Sequence, residues 1–346
     1  MTKANNLVRM RTDALTKEEI IPLGSLDPYN AAAAHRQKLG LELDLGSKLK
    51  VLDNLRGVRP RIDFSGGDVL TVSDNFAVLQ QAASLFGCEN ITLTATGAGL
   101  ARVDPESLKG LIGEFNFSFD GVDGENPHRP STYAKSNLSK AKAIAATGIT
   151  TRAECPLNRF NCEPEVLTRL YEILHEANVS KLLPMRLFPV GRGELKAADI
   201  PTIPQYKSAI STLRALEAKY GTPRVKLQCA LRMLENEPLT ENPCDLVRES
   251  FGLMADGTLL ASPWAVGGKG RPLDETFVLG NLAATAMADI LRTEKAKEFM
   301  SRRNENFGHC KIFAFLNSKK SAPMDRIFDN SDPLYIQAGA YGAAVI

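Results

Sequence analysis

Short β-branched segments alternate with amphipathic helical segments along the first half of the sequence, and this alternation constrains the fold more than any other feature. The predicted strands are LVRMRT (7–12), RIDFS (61–65), NITLTAT (90–96), FNFSFDG (115–121), TTRAECPL (150–157) and KLLPMRLFPV (181–190). Predicted helices lie between them at 45–55, 72–87, 104–115, 131–148 and 164–179. Such alternation is typical of parallel βαβ units. It predicts an α/β fold with a parallel sheet, either curled into a partial barrel or open and doubly wound.

The pattern changes after about residue 200. A helix is predicted over 201–221 and a strand over 224–234. From about residue 235 the sequence is rich in loops, with a hairpin predicted at MADGTLLAS and a helix over 281–303. We therefore expect a small α+β extension after the parallel sheet.

Composition narrows the classes of function. Lysine and arginine number 42 against 40 aspartates and glutamates, so a surface for nucleic acid is not indicated. There is no apolar signal segment at the N-terminus and no uncharged run long enough to span a bilayer, so we expect no membrane partner and a cytoplasmic location. The cysteines at 88, 155, 162, 229, 244 and 310 form no CxxC pair. A zinc site built from Cys229, Cys244, His309 and Cys310 is disfavoured by that spacing.

The predicted strands end in glycine or polar residues. The second ends in Ser65-Gly66-Gly67-Asp68, and the fourth ends in Ser118-Phe119-Asp120-Gly121. In parallel α/β folds, ligands bind beyond the carboxyl ends of the strands. Glycine lets the backbone approach a ligand, and carbonyls with a carboxylate suit an ammonium group, while Ser118 and Arg129 suit a carboxylate. Together these groups outline a site for an amino-acid moiety; the alternative is that the glycines only form tight turns.

The order of FSGGDVL, ITLTATGAGL, FSFDGVDGENPHRPSTYAKSNLSKAKAIAATGITTRAECPLN and LLPMRLFPVGRG resembles the radical S-adenosylmethionine (SAM) enzymes, in particular the subset with a C-terminal SPASM or twitch extension. The resemblance covers residues 60–195 and continues more weakly through MADGTLLASPWA and FVLGNLAATAMADIL. It implies a partial (β/α)6 TIM-like barrel over 1–200, a linking helix and strand over 201–235, and a small α+β SPASM/twitch-like domain over 236–346.

The resemblance also implies roles for individual residues. The ammonium of the SAM methionine would contact Gly66, Gly67 and Asp68, with Asp68 in place of the family's usual glutamate. The methionine carboxylate would contact Ser118 and Arg129. The remaining positions that line the cofactor or substrate are Glu154, Asn158 and Arg186, and either Glu154 or Asp120 is a candidate base.

One departure from the family pattern matters more than the matches. The family carries C-x-x-x-C-x-x-C after its first strand, three thiolates that hold a [4Fe–4S] cluster. Here the corresponding segment, TDALTKEEIIPLGSLDPYNAAAAHRQKLG, contains no cysteine. In the extension, Cys244 and Cys310 stand at plausible ligand positions, but Ser262 replaces the cysteine at the end of the hairpin. We therefore expect no iron–sulfur cluster.

Three classes of function stay open. The first is an enzyme that binds SAM or a similar amino-acid-bearing ligand and performs non-radical, polar chemistry in a biosynthetic or peptide-modification pathway. The second is a catalytically dead pseudoenzyme that binds a peptide or a partner. The third is a pocket for a different small metabolite. Expected partners are a small-molecule or peptide substrate, with a partner enzyme or a second copy of the chain as further possibilities.

Overall fold

The computed structural model describes residues 7–10, 28–65, 69–95, 97–122, 132–188, 199–235, 239–267 and 270–336. The chain divides into two compact units. The first unit comprises Met1–Asn116, Ala146–Ile149 and Val247–Met300, and the second comprises Phe117–Ala145, Thr150–Leu246 and Ser301–Ile346.

The described strands are β1 (Leu7–Met10), β2 (Arg61–Phe64), β3 (Ile91–Thr94), β4 (Glu114–Ser118), β5 (Thr150–Leu157), β6 (Lys181–Arg186), β7 (Arg224–Val225), β8 (Ser250–Leu253), β9 (Thr258–Leu260) and β10 (Val278–Asn281). The described α-helices are α1 (Pro28–Lys38), α2 (Leu45–Leu55), α3 (Ser73–Phe86), α4 (Gly97–Leu100), α5 (Tyr133–Ala146), α6 (Pro164–Glu176), α7 (Ile203–Tyr220), α8 (Cys229–Arg232), α9 (Met287–Ile290), α10 (Glu294–Ser301), α11 (Lys311–Asn317), α12 (Pro323–Phe328) and α13 (Pro333–Ile336).

In the first unit the strands follow the order β10-β9-β8-β1-β2-β3-β4. Strand β1 pairs in parallel with both β2 and β8, so that Leu7 lies opposite Arg61 on one side and Ser250 on the other. Strands β2, β3 and β4 are also parallel. Strand β9 turns back on β8, and β10 on β9, in antiparallel pairs. The predicted parallel sheet and the predicted hairpin are both confirmed.

In the second unit the order is β5-β6-β7, and these three strands are parallel. The register of β5 on β6 runs from Arg152 opposite Lys181 to Leu157 opposite Arg186. Because parallel strands point the same way, the ends of β5 and β6 meet at one edge of the sheet.

Amphipathic helices cover the sheet in both units. In the first unit, α2 buries Val51, Leu52 and Leu55 and contacts α3. In the second unit, α6 buries Leu167, Leu170, Tyr171 and Leu174, which recur at the spacing of one helical face, and it contacts α7. The Tyr171 hydroxyl donates a hydrogen bond to the Pro223 carbonyl at 2.7 Å. The described residues contain no helix that is long and apolar enough to cross a bilayer.

Two predicted elements were wrong. Residues 104–115 form only a short 3₁₀ turn at Pro105–Leu108, because Gly110 takes a positive φ of 73° that ends the helical path, and β4 begins at Glu114. The predicted strand 224–234 pairs as β7 for two residues and then continues beside β6 through hydrogen bonds from Lys226 and Gln228. The rest of that stretch turns into α8.

The predicted helix over 281–303 was wrong in extent. Its first residue ends β10, and the remainder is divided into α9 and α10. Thr293 marks the break, since its hydroxyl donates to the Ile290 carbonyl at 2.8 Å and accepts from the Ala296 amide at 3.3 Å. This side chain therefore ends one helix and caps the next.

Replacing Gly252 by alanine tests how tightly the β8 hairpin is packed. A Cβ at Gly252 would lie 2.8 Å from the Ser262 carbonyl oxygen and 3.0 Å from Pro263 Cα, and backbone atoms cannot move aside. We expect Gly252→Ala to lower the free energy of unfolding by about 1–3 kcal/mol. The exposed Gly46 in α2 is the control, since its nearest neighbour would be 3.7 Å from the new Cβ. Gly46→Ala should be neutral or stabilising by up to about 1 kcal/mol. Urea unfolding measures both, and equal losses would contradict this account of the hairpin.

Candidate functional site

The end of β2 lies beside a small cavity in the first unit. Gly66, Gly67 and Asp68 lie outside the described residues, so their predicted roles stay predictions. The residues on either side of them, Ser65 and Val69, are buried and both line the cavity. Its volume is about 30 Å³, enough for one or two water molecules. The polar side chains in the lining belong to Glu42, Lys48, Ser65 and Asn75.

A row of buried polar side chains crosses β2, β3 and β4 in the first unit. The Thr94 hydroxyl donates to Asp63 Oδ1 at 2.8 Å and accepts from Asn116 Nδ2 at 3.0 Å. Asp63 and Asn116 are both fully buried. Sequence reasoning treated these residues only as strand positions; the signal that it missed is a polar residue within each of three neighbouring strands. Because a buried polar group is costly unless it is hydrogen-bonded, this row favours one register of the three strands.

At the end of β4, Asp120 is buried and bound to a tyrosine that sequence reasoning also missed. The Tyr133 hydroxyl, at the start of α5, donates to Asp120 Oδ1 and accepts from the Asp120 amide at 3.0 Å. The carbonyl of Ser118 accepts from Asn137 Nδ2 at 2.9 Å. Arg129, the predicted partner of a ligand carboxylate, lies outside the described residues. Helix α5 therefore fixes the backbone and the carboxylate at this strand end.

Glu154 lies inside β5, three residues before the end of the strand, and is buried, with Arg152 Nη2 at 3.8 Å from its carboxylate. The Glu154 carbonyl accepts from the Phe119 amide at 2.9 Å, which places Glu154 beside the segment that leads to Asp120. In the second unit, Glu154 on β5 thus lies beside the segment that carries Asp120.

Asn158 and Asn161 form the turn that follows β5. The Asn158 amide donates to Asn161 Oδ1 at 2.8 Å, and Asn158 Oδ1 accepts from the Phe160 amide at 2.9 Å. Asn161 Nδ2 donates to the Asp120 carbonyl at 2.8 Å, so Asn161 ties the end of β5 to the end of β4. The described contacts of Asn158 are those of a turn residue, and its contact with a cofactor stays a prediction.

Arg186 ends β6 and forms a buried, two-pronged ion pair with Asp332. Its Nη1 and Nη2 atoms each donate to one carboxylate oxygen at 2.7 Å, and its guanidinium stacks on the Phe313 ring at 3.6 Å from the centroid. Burial opposes the charge, but Asp332 outweighs burial and holds the pKa of Arg186 above its ordinary value. The Asp332 carboxylate also accepts from the amides of Cys310 and Leu334 at 3.1 and 3.0 Å. Arg186 therefore anchors the last described helices of the second unit, and its predicted contact with a cofactor stays a prediction.

Two cysteines of the second unit, Cys229 and Cys310, have thiols whose pKa is raised. Burial raises the pKa of Cys310 to about 12, with Asp332 adding to the effect. Burial also raises the pKa of Cys229 well above its ordinary value, and Asp245, whose Oδ1 lies 3.8 Å from the sulfur, adds to it. Metal ligation requires the thiolate. Among the described residues, no group of three or more His, Cys, Asp or Glu side chains is arranged to hold a metal ion.

Removing the carboxylate of Asp332 tests the anchor. Asp332→Ala leaves the Arg186 cation buried without its partner, and we expect the free energy of unfolding to fall by about 3–5 kcal/mol. The control is Asp325→Ala, which breaks the partly exposed pair between Asp325 and Arg302 at 3.0 Å and should cost less than about 1 kcal/mol. Urea unfolding of both variants gives the comparison. Similar losses in the two variants would show that the buried pair is not the anchor.

Comparison with known proteins adds one finding to this geometry. No protein-family model matches the sequence, and neither does any curated protein. Solved structures do match. SuiB of Streptococcus suis is 10% identical, with a TM-score of 0.59 over 83% of this chain and 65% of SuiB. The same enzyme bound to its precursor peptide SuiA is 11% identical, with a TM-score of 0.58 over 83% of this chain and 64% of that chain. The enzyme anSMEcpe with bound AdoMet is 15% identical, with a TM-score of 0.58 over 86% of this chain and 84% of that chain.

This chain spans about 65% of the length of SuiB, so the likeness concerns the fold that the two chains share. SuiB and anSMEcpe are radical SAM enzymes. The α/β architecture, the parallel strands and the later hairpin were predicted from the strand–helix alternation and the sequence of the hairpin, and the likeness to this group from the order of its motifs; the match confirms both. The chain has the fold of the radical SAM enzymes.

Proposed function

We propose that this chain binds SAM, or a similar amino-acid-bearing ligand, and uses it in polar chemistry that needs no iron–sulfur cluster, within a biosynthetic or peptide-modification pathway. The observation that carries the proposal is the shared fold. SuiB has been seen bound to S-adenosylmethionine and anSMEcpe with bound AdoMet, and this chain has their fold together with polar strand ends. A plain scaffold has no need of the glycine motif and the buried carboxylates at those ends.

The residues present do not fit the cluster that radical SAM chemistry requires. The first cysteine of the chain is Cys88, which follows β2, whereas the family places three cysteines after its first strand. A [4Fe–4S] cluster is held by thiolates. We therefore propose no reaction step that involves iron.

The binding residues come from the family resemblance. By that resemblance, Gly66, Gly67 and Asp68 would accept hydrogen bonds from the ligand ammonium. Ser118 and Arg129 would donate to the ligand carboxylate, the arginine through its planar fork. The described backbone of Ser118, held by Asn137, supports a defined position for its hydroxyl.

When bound, SAM would supply an electrophilic carbon next to its sulfonium, which a substrate nucleophile could attack with loss of the neutral thioether and the bonding pair. The chain's part is to accept the proton that the nucleophile loses, and Asp120 and Glu154 are the candidate bases. Both carboxylates are buried, Asp120 with Tyr133 as its donor and Glu154 with Arg152 nearby. Tyr133 holds the Asp120 carboxylate in one orientation. A general base must be held within hydrogen-bond reach of the proton that it removes.

The second candidate function is that of a pseudoenzyme that binds a peptide or a partner enzyme. One comparison favours it: SuiB has been solved bound to a precursor peptide, so a protein of this fold can hold a peptide. Arg186 favours it as well, because a side chain predicted to contact the cofactor is engaged by Asp332 within the chain.

Calorimetric titration with SAM tests the proposed function. The wild-type protein should release or absorb heat on binding SAM and should show a raised melting temperature. Arg129→Ala should weaken binding at least tenfold, because the ligand carboxylate would lose a charged donor worth about 1.5–3 kcal/mol. Lys142→Ala, which removes an exposed cation from α5, should bind like the wild type. The absence of heat and of a thermal shift at millimolar SAM would contradict the proposal and favour the scaffold or another metabolite.

Anaerobic reconstitution with iron and sulfide tests the cluster-free part of the proposal. The protein should show no absorbance in the visible bands of an iron–sulfur cluster and no stoichiometric iron after desalting, because it lacks the three-cysteine loop. An enzyme that carries C-x-x-x-C-x-x-C, treated in parallel, should take up its cluster and so shows that the procedure works. Stoichiometric iron in this protein would overturn the cluster-free assignment.

A further inference from the structure

A cleft in the first unit is separate from the cavity beside the end of β2. Its volume is about 410 Å³, which falls within the range that small-molecule sites occupy. The cavity beside the end of β2 holds only about 30 Å³. The residues that line the cleft are Arg56, Arg59, Pro60, Leu85, Phe86 and Asn90. None of them belongs to the proposed SAM site, so the cleft needs an explanation of its own.

The cleft lies at the amino edge of the parallel strands β2 and β3. Arg56 and Arg59 lie between the end of α2 and the start of β2. Leu85 and Phe86 end α3, and Asn90 immediately precedes β3. Ligands of parallel α/β folds usually bind beyond the carboxyl ends of the strands. A ligand in this cleft would occupy the other edge of the sheet, so the inference does not depend on the proposed function.

The cleft carries positive charge. None of the residues that line it is acidic. Arg56 is paired with Asp53, one turn earlier in the chain, at 2.8 Å between Nη2 and Oδ1. Arg59 is exposed, and no carboxylate of the described residues forms an ion pair with it. The Arg59 guanidinium is therefore open to an anion, and arginine can bind a carboxylate or a phosphate through two parallel hydrogen bonds.

The backbone at Arg59 is strained. Its φ of 48° and ψ of 63° place it in the left-handed region, which is unfavourable for a residue with a side chain. Glycine would make this exit from the 3₁₀ turn Arg56–Val58 without strain. Strained residues of this kind cluster at ligand clamps. The turn alone does not account for an arginine at this position, whereas an anion-binding role does.

The apolar part of the cleft is held in place in the same way in the absence of a ligand. Leu85 and Phe86 are half-buried in the last turn of α3. Asn90 Nδ2 donates to the Phe86 carbonyl at 2.8 Å. This bond satisfies a carbonyl that the end of a helix leaves without an intrahelical partner. The end of α3 is therefore fixed, and it places an aromatic residue in the same cleft as an open cation.

We propose that this cleft is a second binding site, for a small organic anion: a carboxylate or a phosphate monoester attached to a flat, apolar group. The anionic end is held by the fork of Arg59, with Arg56 adding positive charge beside it. The flat group lies against Leu85 and Phe86, because aromatic rings favour offset-stacked or edge-on contacts with other flat groups. A ligand bound here contacts the segments that precede β2 and β3, so it stabilises the folded state.

Titration with small anions tests the inference. The probes are phenyl phosphate and benzoate, each of which joins an anion to a flat ring. Inorganic phosphate and acetate supply the anion alone, and benzyl alcohol supplies the ring alone. In nuclear magnetic resonance spectra of the wild-type protein, the amide signals of residues 56–59 and 85–90 should shift with at least one of the two probes, and those of β5 should not. The tighter probe identifies the anion, and it should bind more tightly than its parent anion and than benzyl alcohol.

Substitution of two arginines locates the anion. Arg59→Asn removes the guanidinium and keeps a residue that tolerates a positive φ. Arg271→Asn is the matched control, since Arg271 is exposed in the same unit but does not line the cleft. Arg59→Asn should weaken binding of the tighter probe at least about tenfold, because a charged hydrogen-bond donor is lost. Arg271→Asn should bind that probe like the wild type.

The inference is overturned if neither probe shifts the signals of residues 56–59 and 85–90, if Arg59→Asn binds as tightly as the wild type, or if benzyl alcohol binds as tightly as the probes. Should Arg59→Asn not fold, the wild-type signal shifts and the comparison with benzyl alcohol decide. The titration with SAM is a separate measurement, so a failure of the proposed function leaves this result unaffected.

Discussion

Parallel pairing of the central strands is the constraint on which the rest of the structure depends. Two parallel strands cannot be joined by a tight hairpin, so the chain must return along a crossover, here a helix, before the next strand can pair. The carboxyl ends of neighbouring strands then meet at one edge of the sheet. The next helices begin at Ser73 after β2 and at Tyr133 after β4. The polar strand ends that make this chain a candidate ligand-binding protein follow from that geometry.

Buried charges serve a common purpose in the two units. In the first, Lys48 and Glu42 lead through Asn75 to the chain after β2. In the second, Arg186 at the end of β6 holds Asp332 and, through it, the amides of Cys310 and Leu334. In each unit, the ion pair belongs to a hydrogen-bonded network. The network connects a helix or strand of the α/β framework to a segment that lies outside the sheet. Since a buried pair with good geometry has one favourable arrangement, it specifies position more than it adds stability.

The sequence predicted the framework well because its signals are local. The first six strands were placed within a few residues, and so was α6, whose apolar spacing and N-terminal proline are visible in PEVLTRLYEILHE. The predictions from sequence failed where local propensity and tertiary contacts disagree. Residues 104–115 have a helical pattern that Gly110 interrupts. Residues 229–232 have the pattern of a strand but form a helical turn.

The residue pairs that hold the candidate site in place could not be predicted from the sequence, and the reason is different. Arg186 and Asp332 are 146 residues apart, and Lys48 and Asn75 are 27 apart. No period or motif relates the members of such pairs. The positions of two candidates could be predicted, since Ser118 ends β4 and Asp120 follows it, whereas Glu154 lies inside β5. Which side chains hold those ends in place, among them Tyr133, Asn161 and Asn75, became visible only with the fold.

The parallel pairing of β1 with β8 has a consequence for how the protein folds. Leu7 and its partner Ser250 lie far apart in the sequence, so β1 and β8 pair only after a long stretch of chain has been closed into a loop. Until then one side of β1 has no strand to pair with, and an open strand edge can recruit strands from other chains. A folding intermediate in which β8 has not yet docked therefore carries an aggregation hazard that the native sheet has closed.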